Sequence, residues 1–126
     1  VGSCQGLAKG RRGHSVEKPV KGDVVVIPFP FSDLTGAKKR PALVIADAGG
    51  EDVIMCQITS RTVKDELAIV IDQGDFIQGG LNQPSNVRPN KVFTADKRIV
   101  LYRAGRVTHQ TLEKIVSSVV DILQKR

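Results

Sequence analysis

Gly22-Asp-Val-Val-Val-Ile-Pro-Phe-Pro-Phe31 is the stretch whose reading decides the fold class. It is rich in β-branched and aromatic residues, begins on a turn-forming glycine, and ends at two prolines that a central strand could not accommodate. It therefore reads as a first strand. Downstream, residues 32–39 form a polar connection, and Arg40-Pro-Ala-Leu-Val-Ile-Ala46 resumes the strand composition. Asp47-Ala-Gly-Gly-Glu-Asp52 reads as a turn and Val53-Ile-Met-Cys-Gln-Ile-Thr59 as a third strand, so strands two and three make an antiparallel hairpin. A charged loop over 60–66 leads to a fourth strand over 67–72, a loop with apolar anchors over 75–82, a fifth strand over 86–94 and a sixth over 99–103. Short strands at this spacing predict an all-β barrel or sandwich. The chain then changes character. Thr108 is placed to cap a helix whose Leu112, Ile115, Val116, Val119, Val120 and Leu123 recur on one face.

The 126 residues, with 40% hydrophobic and 25% charged content, suit one compact domain. No apolar run approaches the roughly 18 residues of a membrane span, which predicts a soluble protein. Val1-Gly-Ser-Cys-Gln-Gly6 has no initiator Met and no apolar signal core, so residues 1–20 are expected to be a flexible basic tail or an expression remnant, with the domain proper over 21–126. Cys4 and Cys56 have no His or Cys neighbours at metal-ligand spacing, which argues against a disulfide framework or zinc site and makes Cys56 a small buried hydrophobe.

The net charge of +6 is unevenly spread. Residues 1–21 hold five basic side chains against one acid, leaving 14 basic and 12 acidic groups in the rest. Overall charge is thus weak support for a nucleic-acid partner, and local clusters must carry that case.

The blocks Gly22-Asp-Val-Val-Val-Ile-Pro-Phe, Gly36 in the following loop, Arg40-Pro-Ala-Leu-Val-Ile and Ile58-Thr-Ser60 resemble the opening half of MazF/PemK-family toxins. Asn86-Val-Arg-Pro-Asn-Lys-Val-Phe-Thr-Ala-Asp-Lys97, then Gly105-Arg-Val and a final helix, resemble the second half. The similarity covers about residues 21–124. It implies a mainly β, SH3-like small barrel with a C-terminal helix. It also implies a cytoplasmic, homodimeric endoribonuclease that needs no metal or other cofactor, cuts single-stranded RNA selectively, and is inhibited by an acidic antitoxin. Other members of the fold poison DNA gyrase without cutting, and a non-catalytic SH3-like module binding RNA or protein is a third reading.

Attack of a ribose 2′-hydroxyl on the adjacent phosphate needs a proton acceptor, charge stabilisation on the phosphorane and a hydrogen bond to the leaving oxygen. The resemblance assigns Arg40 and Thr59 to this pair of tasks: a guanidinium holds two phosphate oxygens at once, and a hydroxyl donates to the same group. Arg88 is a further contributor. Some relatives carry a histidine in the loop before Arg40, where residues 32–39 have none, and a carboxylate where this chain has Asn90. An amide accepts no proton, so the base is unassigned. For RNA contacts, Lys38, Lys39, Ser60, Arg61 and Lys91 supply polar groups, and Phe29 or Phe31 could stack a base; Phe76, Phe93 and Tyr102 are the remaining aromatics. His14 and His109 are expected in solvent, Asp96 in a turn or cap, and Asp23 as a shaper of the first strand.

Overall fold

The computed structural model describes residues 18–29, 38–60 and 66–125. Its strands are β1 (Asp23–Phe29), β2 (Lys38–Gly49), β3 (Asp52–Thr59), β4 (Ile69–Ile71), β5 (Phe76–Gly79), β6 (Ser85–Asp96) and β7 (Tyr102–Val107), followed by helix α1 (His109–Gln124). All seven strands join one curled sheet in the order β4-β6-β3-β2-β1-β7-β5, and every pairing is antiparallel. The architecture is a mainly β small barrel with one C-terminal helix.

Val24, Val25, Val26 and Ile27 are all buried, although strand residues alternate sides. The central strands are covered on both faces, which is why they read as unbroken apolar runs rather than alternating ones. On one face α1 lays Leu112, Ile115 and Val119 against Val24, Leu43, Cys56, Ile58, Val87 and Val107. On the other, the curl of the sheet packs Val25, Ile27, Ala42, Val44, Val53 and Met55 beneath Val100, with Phe93 and Ala95 beside them. Cys56 is fully buried as expected, and burial pushes its thiol up to about 12.

Three expectations need correction. The apolar run Ile99-Val100-Leu101 is not strand: residues 97–99 form a 3₁₀ turn, because the Asp96 side chain accepts from the Arg98 N–H at 2.8 Å, and strand pairing begins at Tyr102. Residues 76–79, expected within a loop, form β5, which pairs with β7. Gly105 makes this crossing practicable, since a Cβ there would lie 2.6 Å from the Gln78 carbonyl oxygen. The fourth strand shrinks to Ile69–Ile71. Thr108 does cap α1, accepting from the Thr111 N–H, but the helix stripe is not covered to its end: Leu123 is 77% exposed. No helix among the described residues is long and apolar enough to cross a membrane.

Asp23 is 1% exposed at the start of β1. One oxygen accepts from Arg106 Nε at 2.9 Å, the other from the Val20 N–H at 2.9 Å, and Arg103 lies 3.9 Å away. It thus ties β1 to β7 and to the chain entering the sheet.

Candidate active site

Strand register fixes which side chains share the sheet face opposite α1. Ile27 pairs with Arg40, Ala42 with Gln57, Gln57 with Arg88, and Thr59 with Asn86. Paired residues point to the same side, and Ile27 and Ala42 belong to the core of that face. Arg40, Gln57, Thr59, Asn86 and Arg88 therefore project from one face.

That face changes polarity along one line. On β3 it runs Val53, Met55, then Gln57, Thr59; on β2, Val44, Ala42, then Arg40; on β6, Ala95, Phe93, then Arg88, Asn86. On β6 the line coincides with a bulge: Met55 faces Phe93 and Cys56 faces Val92, but Gln57 faces Arg88, leaving Pro89, Asn90 and Lys91 looped out. Pro89, which lacks an N–H for the ladder, sits where none is required.

The sheet also parts there. Continuing the Ala42–Gln57 register by two residues would set Arg40 opposite Thr59, yet the β2–β3 pairing ends at Ala42. Pro41 has no N–H to continue it. Beyond that point β2 follows β1 as far as Lys38 opposite Phe29, and β3 follows β6 as far as Thr59 opposite Asn86. The break leaves a notch in the ladder of pairs, with Arg40 on one of the parting strands and Thr59 on the other.

Arg40, Thr59 and Arg88 are each half-buried at this end, whereas Lys38, Lys39, Ser60 and Lys91 are exposed. Lys38 has the same strand parity as Arg40, and Lys39 the opposite one. Among the described residues, Lys38, Lys39, Arg40 and Lys91 enter no ion pair. Such cations attract and hold a phosphate, with Arg40 offering a planar fork. Asn90 lies exposed in the bulge. Arg61, Phe31, His14, Cys4 and residues 32–37 lie outside the described residues, as does the side chain of Phe29.

The acidic and imidazole groups weighed from sequence lie elsewhere. Asp96 caps its turn and pairs with Arg98 at 2.7 Å, which lowers its carboxyl to about 2. His109 starts α1, 3.3 Å from Glu113. Among the described residues no group of three or more His, Cys, Asp or Glu is placed to hold a metal ion. Gln57 and Asn86 were missed by the sequence reading. For Gln57 the signal was available, because it precedes Thr59 by two positions in a strand and so shares its face.

A curled antiparallel sheet with a helix on one face and a cationic, hydroxyl-bearing notch on the other defines a small SH3-like barrel of the toxin type. Solved structures share the architecture. A MazE-MazF structure from Deinococcus radiodurans matches with TM-score 0.67 at 19% identity, over 87% of this chain and 100% of that one. An endoribonuclease in complex with its cognate antitoxin from mycobacterial species matches with TM-score 0.64 at 20% identity, over 86% and 97%. At such identities the likeness is one of fold. Among curated protein sequences none matches this chain. Residues 20–123 match the PemK-like, MazF-like toxins of type II toxin-antitoxin systems, and the chain belongs to that family.

Proposed function

We propose that the protein is the toxin of a type II toxin-antitoxin pair and acts as a sequence-selective endoribonuclease on single-stranded RNA. The observation that carries this reading is the break in the β2–β3 pairing, beyond which the half-buried Arg40, with no ion pair among the described residues, and Thr59 project from the same sheet face. The 2′ oxygen attacks the adjacent phosphorus, the bond to the 5′ oxygen breaks, and the products are a cyclic phosphate and a 5′-hydroxyl. Arg40 donates two hydrogen bonds to the non-bridging oxygens as charge develops on them, and the Thr59 hydroxyl donates to the same phosphate. Arg88 adds positive charge from β6, while Lys38, Lys39, Ser60, Arg61 and Lys91 guide the RNA backbone and Phe29 stacks a base. With Asn90 unable to accept a proton, the 2′ proton leaves to water and a water protonates the leaving 5′ oxygen. The rate then rests on positioning and charge.

The catalytic unit is residues 21–126, with 1–20 a basic tail. It works in the cytoplasm as a homodimer, and an acidic antitoxin segment silences it by filling the cationic notch, folding as it binds. Relatives of the same fold solved with their antitoxins support this reading. The test is incubation of the purified protein with a long unstructured RNA in the presence of a chelator. Discrete fragments with 5′-hydroxyl and cyclic-phosphate ends are expected. Intact RNA alongside folded protein would overturn the assignment.

A further inference from the structure

We infer that Gln57, with Asn86 beside it, reads the base next to the scissile phosphate and so sets where the RNA is cut. This rests on the ribonuclease reading above. The polar end of the sheet face holds two kinds of group. Arginines carry donors only, which suits a phosphate; carboxamides carry a donor and an acceptor together, which a phosphate cannot use fully but the edge of a base can. That end carries three carboxamides among the described residues, and of these Asn90 is looped out in the bulge while Gln57 and Asn86 both neighbour Thr59: Gln57 is two residues back on the same strand, and Asn86 is its partner across β6. Diagonal positions of this kind stand about 7–8 Å apart, a gap an unpaired base can bridge with its two edges.

The surroundings leave Gln57 available. Its β2 partner is Ala42, too short to cover it, and it is half-buried, the first polar residue past the apolar floor. Among the described residues nothing hydrogen-bonds its side chain. A half-buried amide of this kind gives up hydration without receiving a partner from the described residues, so an incoming base edge supplies one. At the margin of the same row Val70, paired with Asn86 and 62% exposed, offers an apolar shoulder for the flat side of the base.

The test uses the full chain and a short RNA carrying its mapped cut site, together with the same RNA made abasic at each position flanking the cut. The wild-type protein should lose about tenfold to a hundredfold in kcat/KM at one flanking position, the worth of one well-made pair of hydrogen bonds. In Gln57→Leu that ratio should fall to near one at that position and stay unchanged at the others. Gln57→Glu, which keeps the shape and the acceptors while removing the donors, should change which base is preferred there, and it stands in should the leucine variant fail to fold. Cleavage by folded variants with the wild-type base preference would overturn the inference. Failure of the wild type to cut any RNA would instead overturn the function on which it rests.

Discussion

The two ends of the sheet treat positive charge in opposite ways. Around the start of β1 and the end of β6, Arg106 and Arg103 flank the buried Asp23, Arg98 holds Asp96, Lys97 bridges to Asp47 at 3.3 Å, and Lys18 reaches Glu51 at 4.0 Å. At the other end, where β2 begins and β3 stops, Lys38, Lys39, Arg40 and Lys91 meet no carboxylate among the described residues. Cations matched within the fold contribute to its stability or to local order; cations left unmatched attract an outside anion. The near balance of charge beyond residue 21 thus conceals, among the described residues, a segregated arrangement in which the ion pairs of the sheet gather at one end.

The sharpest way to break this comparison is to remove one arginine from each end. Arg40→Ala is expected to lower kcat by roughly a hundredfold to a thousandfold or more, the usual loss for a donor aimed at developing charge. Arg40→Lys should recover only part of it, because an ammonium lacks the fork. Arg98→Ala should leave cleavage unaltered. Single-turnover rates on one RNA decide the matter, and equal losses at Arg40 and Arg98 would show that charge at either end serves equally.

Asp23 tests the matched end by stability. Replacing it with Asn leaves two partly buried arginines facing a neutral amide, at a cost of about 3 kcal/mol, which lowers the melting temperature of a domain this size by something on the order of 15 °C. Thermal unfolding followed by circular dichroism reads this directly. A shift no larger than that of an ordinary surface substitution would mean that the ion pairs contribute little to holding β7 on β1.

How much of this contrast the sequence disclosed depends on the range of the interaction. The first three strands were legible because burial on both faces leaves a contiguous apolar signature, and Thr108 was legible because a cap is local. Asp23 could be read only as a shaper of its strand, since its partner Arg106 lies 83 positions away. β5 was hidden because its short edge strand has one neighbour and exposes Ile77 to 63%. Within the site, Arg40 and Thr59 stood out through the ordered blocks around them. That the pairing between their strands breaks before reaching them follows from Pro41, and that Asn86 shares their face with Arg88 follows from a register shift on β6 that no periodicity marks.

Strand parity separates the two lysines before Arg40. Lys38→Ala should weaken RNA binding and reduce the dependence of log affinity on log salt by about 0.7, one phosphate contact on a single strand. Lys39→Ala, with the opposite parity, should change that slope less. Binding of an RNA whose 2′-hydroxyl at the cut is replaced by hydrogen, titrated at several salt concentrations, supplies both slopes. Equal slopes for the two variants would place Lys38 and Lys39 on the RNA path alike.

The smallest effect belongs to Asp96, and here the sign is fixed by its carboxyl lying well below the ordinary value. Hydrogen bonds from the Arg98 side chain, then from the Arg98 N–H, lower it from 3.8 to about 2. A carboxyl that is more acidic folded than unfolded adds stability above its unfolded value and loses that contribution as the pH falls through its folded one. The wild-type protein should therefore lose this increment between about pH 4 and pH 2, and Asp96→Asn should lack it at every pH, so the two unfolding curves converge toward pH 2. Because the pair is exposed, salt should narrow the difference at neutral pH as well. Urea unfolding at a series of pH values with and without added salt measures both trends. A gap that persisted unchanged at pH 2 would show that Asp96 acts through its turn geometry instead of its charge.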